Sequence, residues 1–525
     1  SIYKPTYLLQ QGEAPVLIGK FDKNDPNKQI FMISPILASF YNYQGIPLNN
    51  YPKELWFRGL SGAVGDIDGD GEDEAIVSAM KDGKGFILSF KLNKLDTIFM
   101  SDFWGDVSIY NKGLILANFV GDSLPEIALK TYYSDGSNHP QRIIIIDPRT
   151  KAIINEFKYF KGNFSVYWDI SASDFDNDSL YEIVFLDSLA LLHIKKYNGQ
   201  ELNNFPIDLK PYLPYQDLNN YPIGQFSSVI YVTQNKIICG LNQVGNLLIF
   251  VINANNGNIE LVLNVNSFIG GNPIGEFGLS LGNVDNDNIP EIVLLTSHNY
   301  YPSRRIFVIK LNSQLLAQFV GPDKDWTWYS PVSIADLGND NNIDLIVSLP
   351  RRIFLLTYKN NSLIEYPGSP IILADDTLPE GFPYYSPIFE DINNDNIPEM
   401  FILQHSHPLY SFNVGQVGKI EWNGNRANFR NTAEYGDKTT QSAEEIQNTF
   451  VKFNYKYFSI EFNLNKMQEY KLRIFDVSGR VVYNQRGYIK GKGYLDLKNV
   501  NLRNGVYIVD FRTDGFKKRW KVLKR

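Results

Sequence analysis

Along residues 14 to 425, short apolar runs recur between polar turns rich in Asp, Asn and Gly, a pattern that predicts many short β-strands. One run in each unit is built largely of small residues, as in 60–65 (LSGAVG), 169–173 (DISAS), 279–283 (LSLGN) and 332–336 (VSIAD). Small side chains let strands crowd a central channel, so these runs are expected to be innermost. Each leads into a polar, usually acidic turn, and the turns begin at residues 20, 66, 118, 174, 283, 336 and 391. Most steps are about fifty residues, and the step from 174 to 283 is about double. A unit without acids fills that gap at 226–241 (FSSVIYVTQNKIICGL), which makes eight units. Repeats of this period with about four strands each predict a β-propeller. Eight blades follow if the final runs, 409–414 (LYSFNV) and 419–422 (KIEW), complete their own blade; seven follow if the end units share one.

The acidic turns carry chemistry. In residues 65–77, Asp66, Asp68 and Asp70 offer side-chain oxygens at alternate positions, Glu72 its backbone carbonyl, and Glu74 closes the shell. The sixth position, Gly71, tolerates positive φ. An all-oxygen set suits a hard cation, and calcium is the expected one. The closing acid stands at position nine between two strand-like runs, whereas an EF-hand closes at twelve between helices. Three further turns keep the frame: Asp174, Asp176, Asp178 and Glu182 with the carbonyl of Leu180; Asn283, Asp285, Asp287 and Glu291 with that of Ile289; Asp391, Asn393, Asp395 and Glu399 with that of Ile397. About four calcium sites are therefore expected. In the turn of Asp336, Asp340, Asn342 and Asp344 a ligand is lost to Gly338, and the 118–126 turn loses one to Val120, so both are expected to bind weakly or not at all. Lysines at 20 and 28 should keep the first turn metal-free.

These turns resemble the FG-GAP type of propeller repeat found in integrin α-chain heads and many bacterial surface proteins. The resemblance implies an all-β propeller over roughly 1–425, with the calcium loop joining the first two strands of a blade on the lower face and ligands approaching the opposite face. Residues 41–52, 197–206 and 358–367 share a Tyr, an Asn/Gly-rich turn and a closing aromatic–Pro pair, the mark of a hairpin whose last strand is an outer edge.

At 525 residues the chain has room for two or three domains, and its net charge of −7 is dispersed, which suggests no nucleic-acid footprint. The single cysteine, Cys239, lies in an apolar run, so a disulfide scaffold is excluded and a buried thiol expected. No stretch is apolar and long enough to span a membrane. The chain opens on Ser1, as expected of a processed or trimmed product.

The upper face is richer than a scaffold requires. His139, His298, His405 and His407 follow the second strands of their units, beside Tyr132, Tyr133, Tyr300 and Tyr301; Trp56, Trp168, Trp328, Tyr329, Tyr384 and Tyr385 enter the first strands. A ring of aromatics would stack on sugars or anchor a protein, while the competing role is packing between blades.

After Trp422 the pattern changes. Residues 426–447 read as a polar linker, and 448–525 as a small β-sandwich with strands at 456–464, 470–477, 481–487, 494–500, 505–512 and 518–525. Gly479 and Gly505 stand where hairpins need unusual backbone angles. The run Leu472 to Val482, the piece Leu502 to Tyr507 and the basic end Lys517 to Arg525 resemble the type A C-terminal sorting domain of the type IX secretion system of Bacteroidetes-like bacteria. That resemblance implies handling by the secretion translocon or an outer-membrane shuttle, and residence outside the cell or on the outer-membrane surface of a diderm bacterium.

The function expected from these features is a non-catalytic, calcium-stabilised propeller that binds a glycan or a surface protein. The alternatives are a polysaccharide lyase of the rhamnogalacturonan-lyase kind, with His139, His298, His405, Arg304 and Arg305 as candidate groups, and a structural subunit of a surface assembly.

Overall fold

The computed structural model describes residues 6–11, 15–34, 36–48, 51–101, 114–122, 124–132, 141–158, 170–218, 220–221, 228–233, 235–267, 277–296, 305–321, 331–349, 352–373, 385–403, 408–424, 428, 450–454, 458–498, 500–513 and 517–524. The chain divides into two compact units, 1–440 and 441–525.

Among the described residues, the first unit holds seven antiparallel sheets of four strands and one of six. Numbered in chain order, blades 1 to 8 begin with Leu17–Gly19, Arg58–Gly65, Leu114–Ala117, Ile170–Ser173, Ser228–Thr233, Phe277–Gly282, Ser333–Leu337 and Ile388–Glu390, and blade 2 continues through Glu74–Lys81, Lys84–Lys91 and Lys94–Ser101 as successive neighbours. The apolar clusters step from blade to blade and return to the start. Leu17 and Phe31 of blade 1 pack with Val77 and Leu88 of blade 2, and further clusters continue through blades 3 to 8. Val16 and Ile30 then meet Phe401 and Leu409 of blade 8, which closes the ring. The first unit is an all-β propeller with eight sheets among the described residues.

This ring explains why the strands read as continuous apolar runs rather than alternating ones. In blade 3, Ile143 and Ile145 face the cluster shared with blade 4, while Ile144 and Ile146 face the one shared with blade 2. A strand with a neighbour on both faces has no wet side. Each such isoleucine removed from water is worth about 1.5–3 kcal/mol. Outer strands such as Lys94–Ser101 alternate between covered and exposed positions and carry the charge.

The closure differs from the expectation. Thr6–Gln11 pairs with Pro408–Asn413 and supplies the outermost strand of blade 8, so the run 409–414 does join that blade but the run 419–422 does not complete it. Val417–Trp422 crosses to the inside instead and pairs with Ser333–Leu337, the first strand of blade 7. Gly418 makes the crossing possible, since a Cβ there would overlap the carboxylate of Asp336. Glu421 accepts from the backbone N of Asn283 in blade 6, and the Asn423 amide bridges the backbone N and O of Phe389 in blade 8. Residues 417–423 thus tie three inner strands together, with Trp422 fully buried.

Among its described residues the second unit forms one five-stranded sheet. Four runs expected as separate strands lie within two long ones, Ser459–Phe475 and Val481–Asp496, and Phe450–Asn454 adds a strand that was not anticipated. An irregularity between Leu464 and Gln468 interrupts the long pair. Ile460, Phe462, Leu472 and Ile474 all join one core with Val509 and Phe511, so both halves of the strand present the same face inward. Gly479 takes positive φ (82°) in the turn capped by Asp476, as expected. Gly505 does not; it simply opens Gly505–Arg512.

Candidate metal centre

The inner strand of each blade ends where the second strand begins, so the acidic turns share one end of the ring. The turns between second and third strands, and the connections between blades, share the other. Six turns are built alike. The acid at position nine accepts a hydrogen bond from the backbone N of position two: Glu74 from Ile67 (2.8 Å), Glu126 from Phe119 (2.8 Å), Glu182 from Phe175 (2.9 Å), Glu291 from Val284 (2.7 Å), Asp344 from Leu337 (2.8 Å) and Glu399 from Ile392 (3.3 Å). The first residue collects backbone N–H groups further on, as Asp66 does from Gly69 and Gly71 and Asp174 from Asp178 and Ser179. Positions four and six both take positive φ in five of the turns, at Gly69 and Gly71, Asn177 and Ser179, Asn286 and Asn288, Asn339 and Asn341, and Asn394 and Asn396. Only residues tolerant of the left-handed region serve there, which is the physical reason for the Gly, Asn and Ser of the motif.

Three turns bring carboxylate oxygens within 4.8 Å of one another: Asp66, Asp68 and Asp70; Asp174, Asp176 and Glu182; Asp285, Asp287 and Glu291. Their donor set fits a metal ion. Burial pushes the position-nine acids upward, Glu74 and Glu291 to about 7 and Glu182 to about 8. Glu182 Oε1 and Glu291 Oε1 are buried and meet no hydrogen-bond donor among the described residues. A buried acceptor left unpaired costs about 1–3 kcal/mol, and a cation against it removes that cost.

The other turns are arranged differently. Arg149 pairs with Asp122 (2.6 Å) and Glu126 (3.1 Å), so a guanidinium occupies the turn whose third position is Val120. At 336–344, Asp344 is capped by Leu337 N and Thr357, and the backbone N of Gly338 donates to Gln416 O at 2.7 Å. In 391–399 the Asn393 amide donates to Glu399 (2.9 Å), and the acids do not gather as in the three turns above. The first turn joins its neighbours: Lys20 N reaches Asp73, and Lys28 pairs with Glu390.

Lysines form the feature that the sequence reading missed. Lys91 Nζ lies 2.9 Å from Asp68, 2.5 Å from Asp70 and 2.8 Å from Glu74. Lys196 lies 2.6 Å from Asp176 and 2.8 Å from Asp178, and Lys310 2.6 Å from both Asp285 and Asp287. A signal for them exists in the chain, a basic residue two positions before an Asn at the end of the third run: Lys91-Leu92-Asn93, Lys196-Tyr197-Asn198 and Lys310-Leu311-Asn312.

On the opposite face, Trp56 is 59% exposed beside Ile36, with a positive φ of 54°. Tyr385, expected there, is 4% exposed and packs in the cluster that joins blade 8 to blade 1. Trp168, Trp328, Tyr329, Tyr384, His139, His298, His405 and His407 lie outside the described residues, as do Tyr133, Tyr300, Tyr301 and Arg304. Arg305 begins the strand Arg305–Ile309 of blade 6. Sequence reasoning overlooked the connection 209–221 between blades 4 and 5. There Tyr215 and Tyr221 stack with ring centroids 4.4 Å apart, both exposed, and the buried Gln243 amide ties their backbones, donating to Tyr215 O (3.0 Å) and Tyr221 O (2.7 Å). Tyr212, Leu189 and Val244 are exposed on the same connection and on turns at the same end of the ring.

A family model described as a secretion system C-terminal sorting domain matches residues 454–525. The second unit is thus a type IX secretion sorting domain, and the protein is secreted or held at the cell surface. No helix among the described residues is long and apolar enough to cross a membrane. Similar solved structures include a Dos1 propeller (TM-score 0.43, 10% identity, 79% of this chain and 96% of that one) and Chaetomium thermophilum Sqt1 bound to the N-terminus of ribosomal protein L10 (0.43, 13%, 78% and 100%). A rhamnogalacturonan lyase of Bacillus licheniformis is also similar (0.38, 12%, 79% and 76%). No match was found among curated proteins.

Proposed function

We propose that the propeller is a calcium-stabilised binding module presented outside the cell, which docks a glycan or a surface protein on the face opposite its acidic turns. The observation that carries this reading is the tyrosine cluster of residues 212–221. Exposed aromatic rings held by a buried amide lose little freedom on binding, and stacking on a flat apolar sugar face suits them. Calcium is the ion proposed for the turns of Asp66, Asp174 and Asn283, with the Asp391 turn as the fourth and the Asp336 turn weaker. Extracellular calcium modules bind with Kd of about 10⁻⁴ to 10⁻³ M, which suits a site filled outside the cell.

The test is a glycan array and a surface-protein pull-down with the full chain, compared with Tyr215→Ala, Tyr221→Ala and Trp56→Ala. Loss of about tenfold or more in affinity from any of these supports the reading, since an anchor at the centre of an interface is worth at least about 1–2 kcal/mol. Binding indifferent to all three would remove the proposed face.

A further inference from the structure

The three turns that gather carboxylates each face a lysine from the end of the third strand of the same blade. The equivalent position, where the third strand enters its turn, is Asn42 in blade 1, Asn253 in blade 5 and Asn413 in blade 8. Lysine thus stands over the three turns whose acids converge, and asparagine over blades 1 and 5, whose turns lack the acid set, and over blade 8, whose acids Asp391, Asp395 and Glu399 do not converge. In blade 3 the position is Asp147, which orients Arg149 into its turn at 2.8 Å. The lysine side chains keep only 19–23% of their surface exposed, because their stems lie along the turns.

We propose that Lys91, Lys196 and Lys310 are built-in competitors for the cation: each ammonium occupies the place of the divalent ion and must swing out when the ion enters. This rests on the calcium reading above. The ammonium pairs with the oxygens of positions three and five, which the ion also requires. Two cations cannot share those oxygens, since like charges at such a separation repel strongly. Among the described residues, Lys196 leaves Glu182 Oε1 4.0 Å away and Lys310 leaves Glu291 Oε1 without a donor, so these two sites are filled only partly and a divalent ion fills them better, whereas Lys91 reaches all three acids of its turn. Four methylenes and an exposed exit make lysine displaceable, whereas the forked guanidinium of Arg149 is held by three carboxylates at once. The arrangement keeps the acidic turns folded before calcium is met, then yields to it.

The experiment uses the full chain, stripped with a chelator, as wild type, as the single variant Lys310→Gln and as the triple variant Lys91→Gln/Lys196→Gln/Lys310→Gln. Calcium is titrated by calorimetry, and the unfolding midpoint is read without metal. The expected result is a lower metal-free midpoint together with calcium affinity tighter by about twofold to fivefold per altered turn, the scale of a partly exposed ion pair removed from competition. Lys310→Gln alone gives the same directions should the triple variant fold poorly. Wild type that binds calcium with unchanged or weaker affinity in the variants would overturn the competition and leave the calcium reading standing. Calcium bound only by the variants would support the competition in its strongest form and remove calcium from the wild type. No calcium bound by any of them would overturn both.

Discussion

The two faces of the propeller are made by opposite rules. On the lower face one turn is written repeatedly, with the same bond from position two to the acid at position nine in six blades. On the upper face the described connections differ in length and content, from the two residues Asp82 and Gly83 to the segment 209–221 with its tyrosines. The lower face repeats because its task is the same in those six blades: to turn the chain and to dispose of buried negative charge. The upper face varies because nothing in the ring requires it to be uniform. Cation chemistry on one face should therefore govern stability, and aromatic chemistry on the other should govern binding.

The largest effect expected of this division is on the lower face. Calcium at tenfold over a Kd of about 10⁻³ M adds about 1.4 kcal/mol per site, so the three convergent turns together contribute about 4 kcal/mol. Thermal unfolding of the stripped chain, with and without calcium, checks this; an unchanged midpoint would break the comparison at its base. Magnesium should do less, because it demands a tighter octahedron than these turns offer.

A smaller effect belongs to the upper end of blade 4. His193 is buried between Glu201 (3.1 Å) and Asp187 (3.5 Å), and Asp187 caps the turn that carries Leu189. Burial opposes the charged imidazole, but the two carboxylates outweigh it and raise its pKa above the ordinary value. A raised folded pKa gives stability that is complete below about pH 6.5 and is lost as pH rises through the folded value. Unfolding followed from pH 5 to 9 should show this loss in calcium-loaded wild type, and His193→Gln should flatten it. Equal profiles for the two proteins would show that the pair does not report on this turn.

The smallest effect sharpens the contrast most. Trp56→Ala and Tyr215→Ala are expected to shift stability by no more than about 1 kcal/mol, because an exposed ring contributes at most a stacking contact such as that of Tyr215 on Tyr221. A loss of several kcal/mol would mean that these rings pack the fold rather than face a partner.

Much of the lower face was legible in the chain, because its determinants are local. The αL residue at position six, the closing acid at nine and the small inner strands all lie within a dozen or so positions of one another, as in Gly65 to Val77, whereas the αL residue at position four was found only in the structure. The tyrosine cluster was not legible, since Gln243 organises it from 22 and 28 residues away. Tyr385 read as a surface ring because strand-entry aromatics look alike until the neighbouring blade is in place. Long-range placement also decided Lys28, which pairs with Glu390 across 362 residues.

By itself the sequence determined the propeller, its repeat, the shape of its acidic turns and the sorting domain at its end, because periodicity, turn chemistry and motif spacing are written locally. Only the tertiary structure decided how the ring closes: Thr6–Gln11 takes the edge of Pro408–Asn413, which leaves Val417–Trp422 to pair inside on blade 7. It also decided which turns carry their own cation. Both outcomes depend on groups brought together by the closed ring, and an unpaired strand edge or an uncompensated carboxylate takes whatever partner the fold sets beside it.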